Sequence, residues 1–303
     1  MRILLTGGTG FIGSHVARAL VRDGHELHLL LRPKTNPIRI GDVLPKVCTI
    51  SGDVLDAQAL AIEIRRLQPE CCVHLAWYVE AGKYLAAPQN LDFLVASIEL
   101  AKALAAAGCR RLVAAGTCFE YNTDLGTLSE SSVTRPRHLY SACKLALYTA
   151  LEAYSHNTGM EFAWLRFFYQ YGPYEDSRRL VPHLVNSLLR GEVAKLTPGE
   201  QVRDFLYIED LADAVSRVVG SKLTGAVNIG SGQPITVREI AQAIGRRLDK
   251  PDLIALGAQP YAPQDPMRVV ADITKLQTET GWRPRFDLDA GLAKTIEYWK
   301  LQR

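Results

Sequence analysis

Short apolar runs alternate with longer stretches of helical spacing through the first half of the chain. The runs predict strands at residues 2–5, 26–31, 47–50, 72–75, 111–115 and 162–168. Apolar residues three and four apart predict helices between them, at residues 14–23, 57–67, 90–107 and 140–156. Strand and helix in this alternation indicate an α/β fold, a doubly wound parallel sheet with helices on both faces.

A glycine-rich turn, residues 6–13, joins the first predicted strand to the first helix. Glycines spaced three apart let the backbone turn tightly and approach a pyrophosphate, and the helix N-terminus supplies N–H groups and partial positive charge. The turn therefore predicts a Rossmann-type dinucleotide site, with candidate residues Gly7, Thr9, Gly10, Phe11, Ile12 and Gly13.

The pattern changes after residue 168. Helical spacing recurs at residues 180–190, 208–219, 237–248 and 288–300, between loops rich in proline and glycine. We expect a dinucleotide-binding domain at residues 1–168. Residues 169–303 should form a smaller, mostly helical substrate-binding region, with some segments rejoining the sheet.

The end of the second strand bears on the choice of cofactor. Enzymes that prefer NAD usually place an acidic residue there to grip the ribose diol. This chain has Leu31 followed by Arg32 and, beyond a proline, Lys34. A guanidinium pairs with a 2′-phosphate that a carboxylate would repel. Arg32 therefore predicts a preference for NADP(H), with NAD(H) possible; alternatively it is a solvated surface charge.

Tyr140 and Lys144 lie four residues apart and so share one face of a predicted helix. We expect the ammonium to lower the pKa of the phenol from about 10 towards neutrality. Lys144 can also bind the nicotinamide ribose. Thr117, at the end of the fifth strand, could polarise a carbonyl while Tyr140 transfers a proton. The alternatives are a surface helix pair and a threonine that caps a turn.

The GxxGxxG spacing and these catalytic candidates resemble the short-chain dehydrogenase/reductase superfamily. The resemblance implies that an acid after the third strand holds the adenine and that the segment after the fourth strand lines the cofactor. The matching positions here are Asp53, Val54, Leu75 and Ala76.

Segments of the second half resemble the extended branch that modifies nucleotide sugars, and the similarity covers essentially the whole chain. Residues 166–173 are similar to RxxNxYGP, 201–210 to RDFxxVxD and 227–232 to NIGSG; Arg268 with Asp272 and residues 281–284 are similar to the C-terminal signature. The resemblance implies a nucleotide-diphosphate sugar as substrate and a homodimer formed by helices 90–107 and 140–156. Its substrate-binding residues would be Thr117, Tyr169, Arg179, Arg203, Asn228 and Arg268.

Two departures from the family pattern narrow the function. Tyr169 replaces the asparagine of RxxNxYGP, and Cys118-Phe119 stands where 4,6-dehydratases carry Asp-Glu. Without that acid and base, dehydration has no agent. The leading hypothesis is an NADPH-dependent reductase of a nucleotide-linked 4-keto-6-deoxy sugar. The alternatives are a nucleotide-sugar 4-epimerase with tightly bound NAD, a reductase of steroid-like or flavonoid-like ketones, and a non-catalytic NADP-binding protein.

Composition excludes several other classes. The formal charge is +3, from 35 basic and 32 acidic residues spread along the chain, so no nucleic-acid footprint is visible. No apolar run reaches the ~20 residues of a membrane span. Six scattered cysteines, in no paired array, indicate no metal site and a reducing compartment. We expect a cytoplasmic enzyme.

Overall fold

The structure, a computed structural model, describes residues 1–263 and 265–302. Its strands are β1 Arg2–Thr6, β2 Glu26–Leu31, β3 Cys48–Ser51, β4 Cys71–His74, β5 Arg111–Thr117, β6 Thr127–Leu128, β7 Glu161–Phe167, β8 Tyr169–Tyr171, β9 Ala194–Lys195, β10 Val202–Tyr207, β11 Gly225–Ile229, β12 Pro234–Thr236, β13 Ile254–Ala255 and β14 Arg268–Ala271. Its helices are α1 Phe11–Arg22, α2 Ala57–Leu67, α3 Gln89–Ala106, α4 Leu139–Thr158, α5 Leu180–Arg190, α6 Ile208–Val219, α7 Val237–Arg247, α8 Thr274–Thr280 and α9 Leu288–Leu301.

Seven parallel strands form the main sheet, in the order β3-β2-β1-β4-β5-β7-β11. The predicted doubly wound fold is confirmed. Chain order reverses between β1 and β4, and in such sheets the reversal opens a crevice at the carboxyl ends of the strands. β11 comes from the second half of the chain and pairs with β7, so the sheet is completed from the predicted substrate-binding region.

Helices cover both faces of this sheet. On one face α1 packs beside α6, and their buried residues join a large core cluster that includes Val16, Leu20 and Val215. On the other face α2, α3 and α4 form a second cluster around Leu104 and Leu147. The two clusters account for the continuous apolar strands, because a strand buried on both faces needs no alternation.

Local signals set the ends of several helices. The carboxylate of Asp56 accepts a hydrogen bond from the Ala59 backbone N–H at 3.1 Å, which caps the N-terminal end of α2. The C-terminal end of a different helix, α4, is capped by Gly159. The φ of this glycine is 71°, in the left-handed region that glycine adopts without strain.

In the second half, helices hold more of the described residues than strands do, and a second sheet is present that the sequence did not predict. That sheet runs β12-β10-β14-β6, with β8 also paired to β10. Most of these strands have two to four residues, too few to show a period. β6 belongs to the first half, so each half contributes a strand to the other. Within the described residues no helix has the length and apolarity to span a bilayer.

Candidate active site

A cleft of about 870 Å³ lies at the carboxyl ends of β1, β4 and β5. The glycine-rich turn lines one part of it, β8 and β10 line another, and the N-terminal end of α4 lies between them. A cleft at the point where strand order reverses is the usual ligand site of an open α/β sheet.

The glycine-rich turn has the geometry of a dinucleotide cradle. Gly7 has a φ of 74°, and a Cβ there would lie 2.7 Å from the backbone nitrogen of Ala76. A Cβ on Gly13 would lie 2.1 Å from the Gly7 carbonyl oxygen, so α1 packs against the turn only with glycine there. Gly10 caps α1 without a side-chain hydrogen bond, which leaves the N–H groups of the first turn for an anion. These residues fit a dinucleotide pyrophosphate.

Tyr140, Lys144 and Thr117 meet in the cleft, as predicted. The Nζ of Lys144 donates to the Ala115 carbonyl oxygen at 2.7 Å, which ties α4 to β5. Thr117, the last residue of β5, lies within hydrogen-bond reach of the Tyr140 phenol. All three side chains are buried, and their catalytic roles stay predictions.

The predicted direction of the Tyr140 pKa shift is wrong. Burial raises the pKa of this phenol above its usual value of 10, and the hydrogen bond from Thr117 opposes that shift only in part. Burial also lowers the pKa of Lys144 to about 7. Desolvation is the largest cause of the upward shift in the Tyr140 pKa. Tyr140 therefore holds its proton at neutral pH.

Glu120 is the carboxylate nearest in sequence to Thr117, and it is fully buried outside the cleft. It pairs with the Arg166 guanidinium at 2.7 Å and accepts hydrogen bonds from Trp164 and from the Thr117 backbone. This carboxylate is therefore a structural support at the end of β5. Cys118 and Phe119 bring no carboxylic acid or carboxylate to the Tyr140 phenol.

Four of the predicted substrate residues line the cleft, namely Thr117, Tyr169, Arg179 and Arg203. The Arg179 guanidinium lies 5.2 Å from the Tyr84 ring centroid. Arg203 is buried over the Tyr169 ring and pairs with Asp265 at 2.7 Å. Its charge is thus already partly compensated, whereas Arg179 presents its cation to the cleft.

Two predicted substrate residues, Asn228 and Arg268, lie outside the cleft lining. Asn228 is fully buried in β11, where it accepts from the Tyr121 hydroxyl at 2.7 Å and donates to the Leu128 and Asp272 carbonyl oxygens. Through these hydrogen bonds the Asn228 side-chain amide joins β11 of the main sheet to β6 of the second sheet. Arg268 is exposed at the start of β14, and its side chain packs over Gly126. The structure therefore does not bring either residue to the lining of this cleft, and their substrate roles stay predictions.

The predicted adenine-end residues lie beyond the strand ends on the other side of the glycine-rich turn. Arg32 is exposed directly after β2, and Val54 is buried after β3. The Asp53 carboxylate accepts from the Leu55 backbone at 3.0 Å. Ala76 approaches Gly7 closely and Leu75 lines the cleft, while Thr9 lies half-buried in the turn itself.

Two cleft residues carried no sequence signal. Tyr84 contacts Tyr140 edge-on, although it belongs to no motif. Glu175 follows the YGP motif; burial raises its pKa to about 8, and its Oε2 has no hydrogen-bond partner in the structure. A buried carboxyl oxygen without a hydrogen-bond partner in a cleft can bind a polar group of a ligand. Across residues 1–263 and 265–302, no cluster of His, Cys, Asp or Glu is arranged to bind a metal.

A glycine cradle and a tyrosine–lysine pair in one cleft define a dinucleotide-dependent enzyme. Residues 3–230 match the model of the NAD dependent epimerase/dehydratase family, and the chain belongs to that family. The resemblance seen in the motifs is thereby confirmed.

Curated relatives cover nearly the whole chain. The chain is 30% identical to UDP-glucuronic acid decarboxylase 1 of Xenopus tropicalis, over 99% of this chain and 72% of the relative. It is 28% identical to UDP-glucose 4-epimerase of Rhizobium meliloti (strain 1021), over 99% and 97% of the two chains. The solved UDP-glucose 4-epimerase of Thermus thermophilus, in complex with NAD, superposes with a TM-score of 0.86 at 27% identity, covering 99% of each chain.

Proposed function

We propose that this protein is an NADP(H)-dependent reductase of a nucleotide-linked 4-keto-6-deoxy sugar. The observation that carries the proposal is the position of Tyr140, whose buried phenol lines a cleft with a dinucleotide cradle, together with Thr117 and Lys144. Burial raises the pKa of this phenol, so it is in its acid form, and that is the form that donates a proton when a carbonyl is reduced.

The residues divide the reaction between them. A bound nicotinamide would supply the hydride. Tyr140 donates its proton to the substrate oxygen, Thr117 donates a hydrogen bond to the same oxygen, and Lys144 stabilises the phenolate that remains. Burial of all three strengthens each electrostatic interaction, because little water competes.

The preference for NADP(H) rests on Arg32. It is exposed at the end of β2, where an NAD-specific enzyme would carry an acid, and a guanidinium there can pair with a 2′-phosphate. Isothermal calorimetry tests this directly: NADPH should bind more tightly than NADH, and a clear preference for NADH would refute it.

A nucleotide-diphosphate sugar fits the far end of the cleft. Arg179 supplies a cation, and Gln201 and Arg203 supply donors beside it. The unpartnered Oε2 of Glu175 offers a hydrogen bond to a sugar hydroxyl. The relatives' names support this substrate class, since they act on UDP-glucose or UDP-glucuronic acid.

A second candidate is a nucleotide-sugar 4-epimerase that retains tightly bound NAD. It is supported by the relatives named as 4-epimerases. The same three catalytic side chains would serve, because Tyr140 passes between phenol and phenolate in both reactions.

A labelled cofactor separates the two candidates. NADPH deuterated at the transferred position is incubated with a panel of 4-keto-6-deoxy nucleotide sugars, and the products are analysed by mass spectrometry. A reductase incorporates one deuterium per product and consumes cofactor stoichiometrically. Unreacted ketones, together with interconversion of 4-hydroxy epimers without label, would refute the reductase and support the epimerase.

We also propose a homodimer and a cytoplasmic location. The side chains of Leu91 and Val95 are exposed on α3, and Ala146 and Ala150 are exposed on the adjacent α4. A second copy would cover this apolar face. Sedimentation should show a dimer that Val95→Glu dissociates; a monomeric wild type would refute it. The location is proposed because all six cysteines are unpaired thiols, as in a reducing compartment.

A further inference from the structure

The ammonium of Lys144 lies against an indole ring. Its Nζ is 3.7 Å from the ring centroid of Trp77. Lys144 is 3% exposed, and its one described hydrogen bond goes to the Ala115 carbonyl oxygen. Glu120, whose charge also acts on Lys144, is paired with Arg166. A second indole, that of Trp164, lies farther away, with its ring centroid 5.7 Å from the Nζ. The Trp77 ring is therefore the nearer of two aromatic rings that compensate the buried cation, and tryptophan is the aromatic side chain that attracts cations most strongly.

Trp77 is itself held in place by a buried amide. Its Nε1 donates to the Oδ1 of Asn90 at 2.7 Å. Asn90 is fully buried at the start of α3, and its Nδ2 donates to the Tyr84 and Ala87 carbonyl oxygens at 2.7 and 2.8 Å. All of these bonds fix the plane of the indole, and the ring of Phe93 packs beside it at 5.7 Å.

The same segment also reaches Tyr140. The Trp77 ring meets the Tyr140 ring at 6.5 Å and 75°, and the backbone N–H of Tyr140 donates to the Leu85 carbonyl oxygen at 3.0 Å. The chain between β4 and α3 thus contacts both members of the tyrosine–lysine pair. Part of this contact is a charge interaction rather than packing alone.

We propose that Trp77 is a positioning residue that holds the ammonium of Lys144 against its ring face, with Asn90 as the anchor of the ring. This inference rests on the proposed redox function of Tyr140 and Lys144. It adds a residue outside the tyrosine–lysine motif, and its action is on Lys144 rather than on substrate.

The consequence is a specific pH dependence. Burial lowers the pKa of Lys144 to about 7, so its charge is lost near neutral pH unless neighbouring groups favour it. Turnover that needs the ammonium should fall as pH rises through this pKa. Removing the indole removes an attraction for the charged form, so the fall should move to lower pH.

The test compares Trp77→Leu and Trp77→Phe with wild type. In Trp77→Leu the alkaline limb of kcat should move by about one pH unit towards acid. Trp77→Phe keeps a ring but loses the Asn90 hydrogen bond, and it should show a smaller shift in the same direction. Trp299→Leu is the matched control, a half-buried indole on α9 outside the cleft, and its pH profile should match wild type.

A second readout needs no turnover. Protein labelled with ¹³C at the lysine ε-carbons is titrated by NMR, with the Lys144 signal assigned from Lys144→Met. The Lys144 titration should move to lower pH in both Trp77 variants. Titrations and pH profiles that coincide with wild type in the folded variants overturn the inference. If Tyr140→Phe turned over normally, the redox function would fail instead, and the NMR titration alone would decide the role of Trp77.

Discussion

The ring of Tyr84 meets the ring of Tyr140 edge-on, with centroids 4.9 Å apart and planes at 81°. Arg179 lies over the Tyr84 ring, so a cation, an aromatic ring and the Tyr140 phenol follow one another across the cleft. An edge-to-face pair of this kind restricts the direction in which the phenol points.

Replacing Tyr84 by leucine should lower kcat by roughly threefold to tenfold, because the edge contact that orients Tyr140 is lost. Tyr84→Phe keeps the ring contact and should stay within about twofold of wild type. Steady-state kinetics with saturating cofactor measures both. Equal activity of the leucine variant and wild type would mean that Tyr84 does not orient the phenol.

Arg32→Ala should weaken NADPH binding by roughly tenfold or more and leave NADH binding nearly unchanged, because only NADPH carries the 2′-phosphate. Calorimetry with both cofactors measures the difference. Arg190→Ala, at the exposed end of α5, removes the same charge away from the cofactor site and is the control. If Arg32→Ala weakened the binding of NADPH and NADH equally, Arg32 would not recognise the 2′-phosphate, and the prediction would be contradicted.

Arg166→Leu should destabilise the fold by about 3–5 kcal/mol, because Glu120 would remain buried without its cation. Denaturant unfolding measures the change. Arg66→Leu removes an exposed partner of Glu63 and should change stability by less than about 1 kcal/mol. The double variant Glu120→Met, Arg166→Leu should recover much of the loss; if it is as unstable as Arg166→Leu, the uncompensated charge is not the cause.

The burial of His74 leads us to expect that the free energy of unfolding decreases as the pH falls. Burial lowers its pKa to about 3, and its two ring nitrogens bond to Thr6 and Ser97 at 2.7 and 2.9 Å. The unfolded chain takes up a proton below its ordinary pKa of about 6.5, whereas the native state does not until about 3, so stability falls as pH falls through that window. From about pH 7.5 to about pH 5.5 His74 alone should cost roughly 1.4 kcal/mol.

The measurement is the free energy of unfolding at both pH values. His74→Gln should show a smaller loss on acidification than wild type. His156→Gln, at the exposed end of α4, is the control and should show the wild-type loss. A wild-type loss in His74→Gln would exclude this histidine as the cause.

The long elements of the fold could be predicted from local sequence patterns alone. The predicted bounds of α2, α5 and α6 coincide with Ala57–Leu67, Leu180–Arg190 and Ile208–Val219. α2 and α5 keep a polar face, so their apolar residues recur at helical spacing, whereas α6 is buried almost all round and is identified by its length and apolar content. The second sheet could not be predicted, because its short strands pair between distant segments.

The cleft residues that belong to a local sequence motif could be predicted. Those that reach the cleft only through contacts between distant segments could not. The glycine turn and the Tyr140–Lys144 pair each lie within one continuous segment. Tyr84 reaches the phenol only because the chain before α3 folds over α4. Asn228 belongs to a family motif, but a motif does not distinguish a residue that joins two sheets from one that binds substrate.

The central claim is that the Tyr140 phenol supplies the proton for carbonyl reduction. It is tested most directly by the rate of NADPH oxidation with a 4-keto-6-deoxy nucleotide sugar in Tyr140→Phe and in wild type. The loss should be roughly 10²–10⁴-fold, with NADPH affinity unchanged, because the ring stays in place and only the acid is removed. A variant that oxidises NADPH at the wild-type rate would contradict the claim.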